Sequence, residues 1–308
     1  MRNKGNMIKR TLKLLIASLY KLQKILFFIC QHPLSKRHKA QGLFKFLSWQ
    51  ISQFLSPKLK KIAWVNGIKI VVKKGMTGIT GSIYVGLHEF EDMGFVLHYV
   101  DKNSYFLDVG ANVGCYSLLA ASKGADVFSF EPDKTSISAL NLNKFVNGFD
   151  NITVINKAVG SEIGTVKFSE KLDTVNHVLQ DLDSNGTIVP MVSIDSIELD
   201  DRPIVMKIDV EGYEEHVLDG AMNYLENSVS VVIVETNNSN LSYGSTNSDI
   251  FKKLRKLGFE GFTYNPFTRT LCNVGPDRIG NTIFIKDPMA VTKQLLDADK
   301  FFTMSELI

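Results

Sequence analysis

The sequence predicts an α/β fold, a mostly parallel sheet with helices on both faces, carrying a basic helical extension at its N-terminus. Three observations predict it. From about residue 105 onward, short apolar runs alternate with stretches of helical periodicity, the pattern of a parallel sheet covered on both sides. The first of those runs ends in a glycine-rich turn, Asp108-Val-Gly110-Ala-Asn112-Val-Gly114, that opens a helix. Charge is also divided along the chain. Residues 1–88 hold 17 Lys and Arg with no Asp or Glu, whereas residues 89–308 hold 18 basic and 32 acidic residues, so +17 is followed by −14. With 44% apolar and 22% charged residues the chain is too apolar for disorder. Its three cysteines, Cys30, Cys115 and Cys272, are odd in number and widely spaced, which argues against a disulfide framework and fits a reducing compartment. No CxxC or His/Cys cluster suggests zinc.

Taken in order, residues 8–30 come first. Lys13, Lys21 and Lys24 argue against a membrane span, because each charge at the bilayer centre costs roughly 2.5–3.5 kcal/mol. No small-residue cleavage site follows to make a secretory signal. At about 100° per residue, Leu12, Leu15, Ile16, Leu19, Leu22, Leu26 and Ile29 share one face. Lys9, Arg10, Lys13, Lys21 and Lys24 lie opposite, so the segment is a basic amphipathic helix. Such a helix either lies in an anionic membrane surface or packs on the body or a second subunit. Nucleic acid is not expected as a partner, since the basic residues are interleaved with aliphatics and no binding motif is present. His32-Pro33 ends the helix, and a second amphipathic stretch covers residues 42–55. The extension is placed at 1–60. A hairpin over 62–75, turning at Asn66-Gly67, and a helix over 89–99 form a lead-in, 61–100.

The main domain is expected over 101–290. Strands are predicted at 105–109, 127–130, 152–159, 204–210, 229–235 and 281–286. Helices are predicted at 114–123, 135–147, 214–227 and 248–257, the last stopped by Gly258. A C-terminal helix or tail fills 291–308.

Ligands of such sheets bind outside the carboxyl ends of the strands. The first strand ends at Asp108 and its glycines, spaced Gly-x-x-x-Gly, not the Gly-x-Gly-x-x-Gly of a pyrophosphate grip. An acid here suits a ligand ammonium and repels phosphate. The second strand ends at Glu131, 21 residues after Gly110, where an acid commonly accepts both hydroxyls of a ribose. Ribose plus ammonium without a pyrophosphate loop describes S-adenosylmethionine.

At this point the sequence resembles the FkbM family of S-adenosylmethionine-dependent methyltransferases. The likeness rests on FLDVGANVG (106–114), LNLNKFVN (140–147) followed by NITV (151–154), VSIDSI (192–197), VMKIDVEGYEE (205–215) and LDGA (218–221). It covers roughly residues 85–270. The resemblance implies a class I, Rossmann-like methyltransferase fold, a seven-stranded, mostly parallel sheet with the last strand antiparallel, and O-methylation of a hydroxyl on a sugar, glycolipid or natural product. It implies that Asp108, Gly110, Asn112 and Gly114 line the methionine end of the cofactor and that Glu131 holds the ribose.

For catalysis the sequence offers Lys207, Asp209 and Glu211, which strand periodicity places on one side of the sheet edge. Charged residues in an apolar run are costly unless paired or used. Asp209 or Glu211 would serve as general base, while Lys207 would neutralise the acids or orient the acceptor, or merely bridge them. His177, in the insert between the third and fourth strands, is a further candidate base, or a solvated loop histidine. Glu235 is expected to line the acceptor pocket. Two acids could hold a divalent ion, but no third ligand is identifiable, so no metal is assigned. A nucleotide-dependent oxidoreductase and a membrane-associated binding protein without turnover are the alternative readings. The expected acceptor is a small molecule or glycan. The expected location is cytoplasmic, peripheral to the inner face of the membrane through residues 8–30.

Overall fold

A computed structural model describes residues 2–169, 177–179 and 186–308, without the side chains of residues 2–12, 14, 15, 77 and 78. The chain opens with α1 (Arg2–Gln31) and α2 (Lys39–Leu55), then the hairpin of β1 (Lys60–Ala63) and β2 (Lys69–Val72). Asn66 and Gly67 turn that hairpin with φ of 51° and 74°, as the Asn-Gly pair predicts. Helices α3 (Thr77–Val85) and α4 (Phe90–Tyr99) lead into the alternating part. There follow β3 (Tyr105–Val109), α5 (Cys115–Ser122), β4 (Asp126–Phe130), α6 (Lys134–Asn147) and β5 (Ile152–Ile155). A small second sheet of β6 (Ala158–Val159), β7 (Gly164–Phe168) and β8 (Thr187–Val192) interrupts the alternation. It resumes with β9 (Ile204–Ile208), α7 (Glu214–Asp219), α8 (Met222–Asn227), β10 (Val229–Thr236) and α9 (Asn247–Lys256). The chain closes with β11 (Glu260–Asn265), β12 (Thr270–Asn273), β13 (Gly280–Ile285), α10 (Pro288–Asp297), β14 (Phe302–Thr303) and β15 (Glu306–Leu307).

The main sheet has the order β12-β11-β13-β10-β9-β3-β4-β5. Strands β3, β4, β5, β9 and β10 are parallel, and β13 runs antiparallel to β10 and β11 on either side of it. This is the expected seven-stranded sheet with its last strand reversed, extended by β12 as a hairpin on β11. Strands buried on both faces give continuous apolar runs, which is why the sequence showed them. Alternate residues feed two cores: Phe106, Val205, Val231 and Ile233 on one face, Leu107, Met206, Val232 and Val234 on the other. The winding reverses between β3 and β9, so their carboxyl ends open the crevice where ligands bind.

Several elements differ from the sequence reading. The segment 214–227 is two helices, not one: α7 ends at Gly220, whose carbonyl accepts the Asp195 N–H, and only glycine fits there because a Cβ would overlap the Gly160 carbonyl. The run 152–159 is split, its second half leaving the main sheet for the small one. Strand β9 stops at Ile208 rather than 210, since Glu211 and Gly212 take φ of 55° and 108°. Gly261 and Pro266 masked the β11–β12 hairpin, and two glycines with β-branched neighbours masked α3.

The extension is part of the main core. Ile29, Leu34, Phe46 and Trp49 are buried in the same cluster as Phe95 and Phe106, each contributing about 1.5–3 kcal/mol by burial. The expected boundary at residue 60 is therefore not a packing boundary. Helix α1 divides its apolar face: Ile25, Leu26 and Ile29 pack on the body, while Ile16, Leu19 and Leu22 stay exposed. The side chains of Lys9, Arg10, Leu12 and Leu15 lie outside the described residues. The C-terminal hairpin β14–β15 closes over the extension, with His38 Nε2 3.2 Å from Glu306 Oε1. Among the described residues, no helix is long and apolar enough to cross a membrane.

Candidate functional site

A cavity of about 340 Å³ opens at the carboxyl ends of β3, β4, β9 and β10. Its first wall is the β3–α5 turn. Gly110 has φ of 81°, and a Cβ there would overlap the Asp209 carbonyl, so only glycine lets this turn approach the end of β9. Asn112 takes φ of 49° and lines the cavity. Gly114 does not line it. Gly114 caps α5 in the left-handed region, where a Cβ would press on Leu140. Asp108 is buried, accepts the Ser117 hydroxyl at 2.5 Å, and has its carboxyl pushed up to about 6 by burial.

The second wall is Glu131 at the end of β4. Its Oε2 accepts the Asn112 N–H at 2.9 Å and its Oε1 the Asp133 N–H at 2.8 Å. Burial outweighs these two bonds and pushes the carboxyl up to about 7.

The third wall carries the charge. Lys207 is 1% exposed, and its Nζ lies 3.1 Å from Asp209 Oδ2. Burial alone would push this ammonium down, but Asp209, Glu89 and Glu235 around it hold it above the usual lysine range. Glu211 points to the same cavity, its carboxyl raised to about 7 by burial and by Asp209. Glu214 accepts the N–H groups of Gly212 and Val210, which fixes the turn that presents Glu211. Glu235, at the end of β10, is raised well above the carboxyl range by burial and then by Asp209. Oxygens of Asp209, Glu211 and Glu235 all lie within 4.8 Å of one another. Glu235 is thus the third carboxylate that the sequence left unassigned, and the trio has the donor chemistry to hold a divalent ion. Lys207 already supplies one positive charge to the same cluster.

The structure thus brings Asp108, Gly110, Asn112, Glu131, Lys207, Asp209 and Glu211 to one cavity. His177 is not among the residues lining it; its backbone pairs with Ser169, and its neighbour Val178 lines the cavity instead. Much of the insert around His177, residues 170–176 and 180–185, lies outside the described residues. Sequence reasoning missed Glu89 and Tyr116. The Tyr116 hydroxyl donates to Glu89 Oε2 at 2.7 Å, and Lys207 Nζ sits 5.2 Å above the Tyr116 ring. The only signal for Glu89 was its place as the first acidic residue of the chain.

A groove of about 540 Å³ adjoins the cavity and shares Val113, Pro132, Asp133, Ser136 and Phe168 with it. Its far rim is Gly75 and Met76, so the part of the chain before Glu89 contributes to the site.

A family model described as the methyltransferase FkbM domain matches residues 108–260. The hexuronic acid methyltransferase AglP of Haloferax volcanii is 29% identical over 144 residues, covering 46% of this chain and 59% of that protein. An uncharacterised protein of Methanocaldococcus jannaschii is 32% identical over 95 residues, 31% of this chain and 34% of that one. This chain therefore spans between a third and three fifths of the length of these curated relatives. Among solved structures, a precorrin-6y C5,15-methyltransferase of Geobacter metallireducens aligns with a TM-score of 0.38 at 11% identity, covering 65% of this chain and 89% of that one.

Proposed function

Residues 108–260 of this chain are an FkbM methyltransferase domain, and on that premise we propose that the protein transfers a methyl group from S-adenosylmethionine to a hydroxyl of a sugar, glycolipid or natural-product acceptor. The observation that carries the reading is a single cavity with a ribose-type acid on one wall and a lysine-held carboxylate cluster on another. The residues fit the cofactor. A carboxylate has about four acceptor sites, and the two backbone N–H groups on Glu131 leave about two for the hydroxyls of a ribose. The volume falls in the usual range for small-molecule sites, about 300–1,000 Å³. Asp108, Gly110 and Asn112 would face the methionine end.

When bound, the cofactor supplies an electrophilic methyl group on a sulfonium. The chain's own work is to hold the acceptor oxygen in line, worth roughly 7–11 kcal/mol, and to receive its proton. Asp209 is the base in this reading, because it faces the cavity while Lys207 fixes its carboxylate at 3.1 Å. Glu235, raised by burial and then by Asp209, is the more readily protonated of the two and so leaves Asp209 as the base. The relative named as a hexuronic acid methyltransferase supports a sugar acceptor, as does a groove whose lining includes Ser136, Ser169 and Thr187.

S-adenosylhomocysteine at a hundredfold excess over Kd should stabilise the protein by about 2.7 kcal/mol, and NAD should not. Asp209→Asn should keep that stabilisation and lose transfer of a labelled methyl group to a glycan panel. Stabilisation by NAD alone, or full transfer by Asp209→Asn, would refute the reading.

A further inference from the structure

Helix α2 carries two apolar faces. Phe46, Trp49 and Gln53 point inward and are buried. Phe44, Leu47, Ile51, Phe54 and Leu55 recur at helical spacing on the opposite side and are exposed, Phe54 by 86% and Leu55 by 75%. An outward apolar stripe of this length on a folded surface marks an interaction site. The exposed part of α1 adds Ile16, Leu19 and Tyr20. Lys36 and Arg37 precede α2, Lys39 opens it, and Lys58 and Lys61 follow it, all exposed.

We propose that this stripe docks the protein on an anionic lipid bilayer, with α2 lying in the interface and the lysines on the headgroups. Charge selects this occupant. Every charged side chain before Glu89 is basic, 17 in all, so a second copy of the same face would meet like charge while a phosphate surface complements it. No described helix is long and apolar enough to cross, so the contact is interfacial. The stripe also ends beside the site: Gln53 Oε1 accepts the Lys74 N–H at 2.9 Å, and the next two residues, Gly75 and Met76, form the rim of the groove. Docking would bring that rim to the headgroup level. The inference stands on the surface alone and does not depend on the methyltransferase reading.

The test is cosedimentation of the full chain with vesicles of phosphatidylcholine alone or with phosphatidylglycerol. Wild type should pellet with the anionic vesicles and be released in about 0.5 M salt, where the Debye length is about 4 Å. The Phe54→Asp/Leu55→Asp variant, changed only at exposed positions, should lose at least tenfold in partitioning with an unaltered circular dichroism spectrum and an unchanged thermal midpoint. Equal pelleting of variant and wild type would overturn the proposal. So would light scattering showing a wild-type dimer that the variant converts to monomer, without vesicle binding by either.

Discussion

Replacing Lys207 by Met tests whether one ammonium holds the acidic cluster together. Lys207 is 1% exposed, 3.1 Å from Asp209, with Glu89 and Glu235 also acting on it. At an effective dielectric of about 20, a pair at that distance interacts by about 5 kcal/mol. Stranding a fully buried partner typically costs about 3–5 kcal/mol; Asp209 is 34% exposed and regains part of its hydration, so the expected loss at alkaline pH is smaller, about 2 kcal/mol. The loss should depend on pH in a definite direction. Without the ammonium, the nearby carboxyls acquire folded-state values further above their unfolded ones. A raised carboxyl binds more protons in the native state, so its stability is present at low pH and is lost as pH rises through the folded value. The deficit of Lys207→Met against wild type should therefore be small near about pH 5 and much larger at about pH 9, since Glu211 and Glu235 sit at about 7 and about 9 even with the ammonium in place. Urea unfolding of both proteins at those two pH values measures it. An equal deficit at both, or one below about 1 kcal/mol at the higher, would refute the claim that Lys207 neutralises this cluster.

Glu131→Gln should weaken S-adenosylhomocysteine binding by roughly ten- to a hundredfold, since a hydrogen bond to a charged group is worth about 1.5–3 kcal/mol, as titration calorimetry would show. Because Glu131 sits at about 7 before binding and only the ionised form accepts both hydroxyls, wild-type affinity should fall up to tenfold per unit as pH drops below about 7, and Glu131→Gln should flatten that profile. Gly110→Ala should lower both melting temperature and ligand affinity, because a left-handed φ costs about 1–2 kcal/mol and the new Cβ overlaps the Asp209 carbonyl. Gly148→Ala, with φ of 65° and nothing within 4 Å, should show the conformational cost alone and leave affinity unchanged.

What could be read from the sequence was what neighbouring residues decide together. Asp108, Glu131 and Asp209 were legible because each lies at or just past the carboxyl end of a short, mostly apolar strand, and the crevice of such a sheet is fixed by its topology. Glu89 was not, because its partner Tyr116 lies 27 residues away on α5 and meets it only when α4, which Glu89 precedes, packs against α5. Glu235 was recognised as the end of a strand but not as a third carboxylate, since its distance to Asp209 depends on β9 and β10 pairing in register, Val234 opposite Ile208. Glycines hid elements in both directions. Those in α3 weakened a helical pattern that packing restores, and Gly220 sat inside a helical pattern that ends where its carbonyl pairs with the Asp195 N–H.

The change of charge at Glu89 marks two different boundaries, and the structure separates them. Electrostatically the chain does divide there: everything before it is basic and everything acidic follows. Mechanically it does not. Ile29, Leu34, Phe46 and Trp49 share a core with the central sheet, and the last residues of the chain close over them, Thr303 and Met304 against Gly86 and Glu306 against His38. Glu89 itself lies at the junction, lining the cavity between His88 and the Tyr116 hydroxyl. Removing the basic part would thus strip the core that positions Glu89, so a loss of activity on truncation would say nothing about membrane contact. Only substitutions on the outward stripe of α2, which support no described packing, separate the work of the surface from the work of the fold.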